Sequence, residues 1–260
     1  MLGKLLKYEI PAMGRKLLPL YVAWSATALF LGLTTQSADS KTEFMVVISA
    51  LLYTAVATAI FVMTIILIVQ RYSNSLLGDE AYFNHALPVS VSAHIGNKAI
   101  SATLWVFITV LVAILTAILI AIGAIIVSGD SFSLKEMIHD LMNMDIDWPK
   151  HLGLYIVEIL IMIITSVVKT IMQIYAAVTI GHQAQNHTTL ASIGAYIVIL
   201  IFESVVGRML LPLFAHTGYG DDGFLNFTMI FIPGVIATIA LSAVYFFVCK
   251  YLMEKHLNLN

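Results

Sequence analysis

Four charged side chains stand within stretches of sequence that are otherwise apolar, and they are the residues most able to do chemistry. Glu158 and Lys169 share one stretch, and Glu203 and Arg208 share the next. Charges at membrane depth are costly and usually face a bundle interior, a partner or a water-filled route. The sequence predicts that these residues line a transport route or a subunit contact. The alternative is that each lies near a span end and snorkels to the surface.

The spacing of these charges limits how they can pair. Glu158 and Lys169 fall on nearly one helical face, about 16 Å apart along the axis, which is too far for an ion pair within one straight helix. An ammonium at the position of Lys169 should therefore need a counter-charge or water from elsewhere. Arg208 is expected to snorkel toward the outer surface.

Sequence signatures of catalysis are missing from the chain. It has no Gly-x-x-x-x-Gly-Lys-Ser/Thr loop for nucleotide phosphates, and no Gly-x-Ser-x-Gly, His-Glu-x-x-His or Cys-x-x-Cys pattern. His182 and His187 miss the i, i+4 spacing that places two metal ligands on one helical face. We therefore predict a protein that is not an enzyme and that has no catalytic, cofactor-binding or metal-binding residue of its own.

The composition identifies the elements that must position the four charges. Of 260 residues, 60% are hydrophobic and 11% charged, more apolar surface than a soluble core can bury. A net charge of −2 without a basic run argues against nucleic acid as a partner. Because about 20 apolar helical residues cross a bilayer, we predict an all-α polytopic membrane protein with six transmembrane helices. The predicted spans are approximately 17–35, 44–69, 99–127, 152–180, 190–211 and 227–248.

The remaining segments complete a single predicted transmembrane permease domain, 1–260. Residues 2–16 have the pattern of an amphipathic helix lying in the membrane interface. Basic residues resist translocation and so indicate orientation. Eight of them fall in the segments on one side, against three in the opposite loops and Arg208 near their edge. Both termini are therefore predicted to be cytoplasmic.

The segment Arg71 to Lys98 carries the most specific pattern in the chain. It resembles the first cytoplasmic loop of the type-2 ATP-binding-cassette exporter permeases of Gram-positive bacteria, which have Gly-Asp-Glu-Gly-Tyr-Leu, then Leu-Pro-Val-Ser, then a Ser-Lys pair. It departs at Ala81, Phe83 and Asn97, where the family has Gly, Leu and Ser. The residues that match are Gly78, Asp79, Glu80, Tyr82, Leu87, Pro88, Val89, Ser90 and Lys98.

The resemblance implies that this loop contains a coupling helix, which docks into a cleft of a partner ATPase. It also implies that ATP and Mg bind to that partner, present in two copies, and that a second permease copy or a paralogue completes the complex. The resemblance assigns six residues to ATPase coupling. They supply a charged rim, an aromatic anchor and a Leu-Pro pair, and they are Asp79, Glu80, Tyr82, Phe83, Leu87 and Pro88.

These observations together favour the transmembrane subunit of an exporter in a bacterial cell membrane. Its apolar spans suggest hydrophobic or amphipathic cargo, a peptide or a lipophilic drug. The main alternative is an ion-coupled secondary transporter in which Glu158, Lys169 and Glu203 form a relay. A membrane enzyme or sensor is a second alternative, although it has no recognisable nucleophile or metal set.

Overall fold

Helices make up nearly all of the structure. The computed structural model describes residues 2–35, 40–78, 89–128, 152–184, 187–215 and 223–255. No strand occurs in these ranges, so the predicted all-α fold is confirmed. The helices in chain order are α1 Leu2–Thr34, α2 Ser40–Leu76, α3 Val91–Ser128, α4 Leu152–Gly181, α5 Thr188–Ala215 and α6 Gly223–Lys255.

Each of these helices is long and apolar enough to cross a membrane. Their most apolar windows have mean hydropathies from 1.6 in α1 to 3.2 in α3. Many large apolar side chains remain exposed, as a lipid-facing surface requires, because lipid rather than protein then covers them. The described residues therefore contain six helices that can span a membrane, and the chain is a multi-pass membrane protein, as predicted.

Several helix boundaries differ from the sequence prediction. The predicted interface helix 2–16 and the first span form one continuous helix, α1, which runs through Pro11 and Pro19. Proline inside a membrane helix is tolerated because neighbouring groups can satisfy the freed carbonyls. The polar segment 70–98, predicted as a loop, is helical at both of its ends, since α2 continues to Leu76 and α3 begins at Val91.

The helices pack as two compact units. The N-terminal unit contains residues 7–67 and 104–148, and the C-terminal unit contains residues 1–6, 68–103 and 149–260. The division falls inside α1, α2 and α3, so these three helices contribute to each unit. That residues 1–260 act as one permease domain stays a prediction.

The N-terminal unit is joined by close packing and by hydroxyl pairs between helices. Tyr21 of α1 shares a hydrogen bond of 2.7 Å with Thr109 of α3, and Tyr53 of α2 shares one of 3.1 Å with Thr116. Gly32 and Gly123 lie where the backbones of α1 and α3 touch. Such small residues allow membrane helices to approach closely.

Replacing Gly32 by alanine is expected to destabilise the N-terminal unit by about 1–3 kcal/mol, because overpacking forces backbones apart. The added Cβ would meet the carbonyl oxygen of Ile120 and would lie 2.9 Å from the Cα of Gly123, and backbone atoms cannot turn away. Gly194→Ala is the matched control, since its Cβ would meet nothing within 4 Å. Thermal unfolding in detergent measures both variants, and equal unfolding temperatures would contradict the close approach.

The C-terminal unit is organised around α4, which packs against both α5 and α6. A turn follows α4, and α5 packs closely against the end of α4, because a Cβ at Gly181 would overlap Ser192 of α5. The half of α4 near this turn is densely buried, from Ile171 to Thr179. This unit holds the charged residues singled out by the sequence.

Candidate functional site

Three helices of the C-terminal unit each contribute one side chain to a charged cluster. We call Lys169 and Glu203, the two charged members, the membrane ion pair. Lys169 of α4 donates to Glu203 Oε2 of α5 at 2.6 Å, and Tyr245 of α6 donates to Glu203 Oε1, also at 2.6 Å. Lys169 lies about 18 Å from the end of α4 at Gly181, by the helical rise. The cluster therefore lies deep within the spans.

The carboxylate of Glu203 is the counter-charge that the sequence predicts for Lys169. Both oxygens of the Glu203 carboxylate are engaged, one by an ammonium and one by a phenol. Charge-assisted hydrogen bonds of this kind are short and strong. The two charges of the membrane ion pair thus neutralise each other, and together with Tyr245 the pair binds α4, α5 and α6 to one another.

The other two predicted charges do not join this cluster. Glu158 is half-buried near the other end of α4, about 16 Å from Lys169 along the axis. Arg208 is exposed on α5, and no ion pair links it to another described residue. The structure thus brings together two of the four predicted residues and adds Tyr245, which the sequence analysis missed.

A second group, the tyrosine cluster, lies where α2, α4 and α6 meet within the C-terminal unit. The rings of Tyr72 and Tyr175 stack, with centroids 3.9 Å apart and planes at 8°. The Tyr72 hydroxyl shares a hydrogen bond of 2.8 Å with Thr179, and it lies 3.9 Å from the sulfur of Met253. Thr179 in turn lies 3.9 Å from the sulfur of Cys249. All five side chains are buried.

Further hydrogen bonds extend the tyrosine cluster toward both ends of the segment between α2 and α3. The Tyr175 hydroxyl donates to the backbone carbonyl of Lys98 in α3 at 3.2 Å. Ser73 of α2 shares a hydrogen bond of 3.1 Å with Nε2 of His182, just after α4. The end of α2 and the start of α3 are therefore each bonded to α4 or to the turn that follows it.

The predicted coupling residues themselves fall outside the described part of the chain. These are Asp79, Glu80, Tyr82, Phe83, Leu87 and Pro88. The start of the following helix is described: the Ser90 carbonyl accepts hydrogen bonds from the amides of Ala93 and His94. Ser90 therefore occupies the position just before α3, where its carbonyl accepts the first hydrogen bonds of the helix.

Among the described residues, no group of three or more His, Cys, Asp or Glu side chains could hold a metal ion. Comparisons of the chain with protein-family models, with curated proteins and with solved structures found no match.

Proposed function

We propose that this chain is the transmembrane subunit of an ATP-binding-cassette exporter, which moves hydrophobic or amphipathic cargo out of the cell. One structural observation carries most weight. The helices α2 and α3, which flank the predicted coupling segment (residues 77–90), are both hydrogen-bonded to α4 or to the turn that follows it. The segment itself resembles the coupling loop of the type-2 permeases in its residue order.

Helix length supports this assignment. With 37 and 38 residues, α2 and α3 are each about 55 Å long, whereas the hydrocarbon core of a bilayer is about 30 Å thick. Their polar ends, 70–76 and 91–98, adjoin the segment 77–90. Both helices are long enough to hold that segment outside the hydrocarbon, as docking to a water-soluble ATPase requires.

The proposed mechanism follows from these connections. Two ATPase subunits bind ATP and Mg, close, and move the coupling segments of two permease chains, this chain and a second copy or paralogue. Asp79 and Glu80 form the charged rim of the docking surface, and Tyr82 and Phe83 form its anchor. The movement passes through α2 and the start of α3 into the tyrosine cluster, and so into α4 and α6. Cargo enters the route from the cytoplasmic side, where both termini are predicted to lie, and is released outside the cell.

A second candidate function, an ion-coupled secondary transporter, is favoured by one observation. Lys169 and Glu203 form a direct ion pair deep in the spans, where proton relays are built from such groups. The third residue of the predicted relay, Glu158, lies about 16 Å along α4 from this pair. A relay also leaves the resemblance of the segment 71–98 unexplained, so we place this function second.

Copurification with an ATPase tests the proposal. Tagged chain extracted from its native membrane is expected to bring down a nucleotide-hydrolysing subunit, and replacing Tyr82 and Phe83 by alanine should lower the recovery about tenfold, since buried aromatic anchors dominate such interfaces. Phe246 and Phe247 of α6, replaced together by alanine, are the matched control. An unchanged recovery and export rate in the Tyr82/Phe83 variant would overturn the docking assignment.

A further inference from the structure

The membrane ion pair has hydrogen-bonding capacity that no described residue uses. An ammonium carries three N–H donors, and among the described residues the Lys169 ammonium donates to Glu203 alone. Each oxygen of Glu203 accepts one bond from Lys169 or Tyr245, although an ionised carboxylate offers about four acceptor positions. Unused donors and unused acceptors therefore lie side by side.

The pair is not sealed inside the protein. The side chains of Lys169 and Glu203 remain 18% and 14% exposed. The spans around them have mean hydropathies of 2.1 to 2.2, so hydrocarbon would otherwise face these polar atoms. Unsatisfied donors and acceptors in hydrocarbon are costly, and a polar occupant at this site would remove that cost.

A stripe of polar side chains on α4 extends the site along the helix. These residues lie on one face, because positions three, four and eight apart on a helix are neighbours. One end of the stripe, Gln173, is only 2% exposed, and its Nε2 has no hydrogen-bond partner among the described residues. The stripe is about 12 Å long, and the Thr165 and Thr170 hydroxyls, which donate to carbonyls of α4, remain able to accept hydrogen bonds from an occupant. Its members are Thr165, Ser166, Lys169, Thr170 and Gln173.

The pattern of donors and acceptors selects the occupant. A cation would have to displace Lys169 from Glu203, and an anion would approach the negative carboxylate. In an extended peptide, by contrast, the N–H and C=O of one residue point to the same side, as when paired antiparallel strands exchange both bonds. One such residue can donate to Glu203 and accept from Lys169 without changing the charge of the site.

We propose that Lys169 and Glu203 form a binding site, deep within the spans, for the backbone of an extended apolar peptide. The ligand's N–H donates to a free acceptor position of Glu203, and its C=O accepts from a free N–H of Lys169. This inference rests on the proposed function, because it selects a peptide rather than a lipophilic drug as the exported cargo.

Binding to the purified full chain in nanodiscs tests the inference without ATP or an ATPase. The probes are a radiolabelled capped tri-leucine peptide and the same peptide methylated at every amide nitrogen, which keeps the carbonyls but removes the donors. Partitioning into empty nanodiscs is subtracted. The wild type is expected to bind the unmodified peptide about fivefold more tightly, the effect of losing one hydrogen bond.

Two variants of the pair sharpen the test. Replacing Lys169 by Met and Glu203 by Gln together leaves no unpaired charge, and we expect it to lower affinity for the unmodified peptide about tenfold. The exchange K169E/E203K keeps one donor and one acceptor group and should retain most of the binding. Lys250→Met, outside the site, should bind like the wild type.

Three results would overturn the proposal. Equal affinity of the wild type for the two probes would show that the site holds water only. Full binding by the neutral double variant would place the peptide elsewhere. Light scattering measures the oligomeric state of the neutral double variant. If that state changes while peptide binding stays intact, the pair is a subunit contact. If the chain copurifies with an ATPase while any of these results is obtained, the inference fails and the proposed function stands.

Discussion

Lys169→Met is expected to destabilise the C-terminal unit by up to about 3–5 kcal/mol, because removing one partner of a largely buried ion pair at membrane depth leaves the other charge uncompensated. The variant keeps the length of the side chain, so most packing on α4 remains. Glu203 would then hold only the hydrogen bond from Tyr245 at membrane depth. Thermal unfolding in detergent at pH 7 measures the change, with denaturant unfolding as a second readout.

Two further variants identify the cause of this loss. Adding Glu203→Gln to Lys169→Met removes the stranded charge and should recover more than half of the lost stability, since a neutral amide is far cheaper to bury. Lys250→Met breaks an exposed pair with Glu254, 3.9 Å apart, and should change stability by less than about 1 kcal/mol. If Lys169→Met unfolds at the temperature of Lys250→Met, water rather than Lys169 satisfies Glu203.

The number of membrane-spanning helices among the described residues could be predicted from the sequence, because a bilayer imposes a length and a composition on each span. The ends of α1, α2 and α3 could not. Polar residues such as Ser73 and Asn97 look like loop residues in sequence, yet packing within the C-terminal unit buries Asn97 and gives Ser73 a partner in His182. Tertiary contacts of this kind extend a helix beyond its apolar stretch.

The charged residues of the candidate site were predictable, but their pairing was not. A charge in an apolar span stands out, so Lys169 and Glu203 were both selected. They are 34 residues apart on different helices, and one sequence does not tell which helix faces which. Tyr245 was missed because an aromatic residue in a span usually serves only to pack against its neighbours. Its hydroxyl was the available signal, since a buried tyrosine hydroxyl usually has a hydrogen-bond partner.

Under the proposed exporter function, Tyr72→Ala is expected to uncouple ATP hydrolysis from export as well as to destabilise the chain. Tyr72 is fully buried, and truncating such an aromatic side chain leaves a cavity that costs about 3–5 kcal/mol. The same change removes the stack on Tyr175 and the hydrogen bond to Thr179, which bind the end of α2 to α4. Movement of the coupling segment should then reach α4 less completely.

Tyr72→Phe separates these two effects, because it keeps the ring and its stack and loses only the hydroxyl, at a cost of about 1 kcal/mol. Tyr8→Ala, at a position 77% exposed, controls for loss of a tyrosine outside the cluster. Reconstituted with the proposed ATPase partner, the Tyr72→Ala chain should still bind that partner but lose cargo-stimulated ATP hydrolysis, whereas Tyr72→Phe should keep at least half of it. The proposed route of coupling fails if Tyr72→Ala remains folded and exports cargo at the wild-type rate, since the end of α2 would then move α4 without the tyrosine cluster.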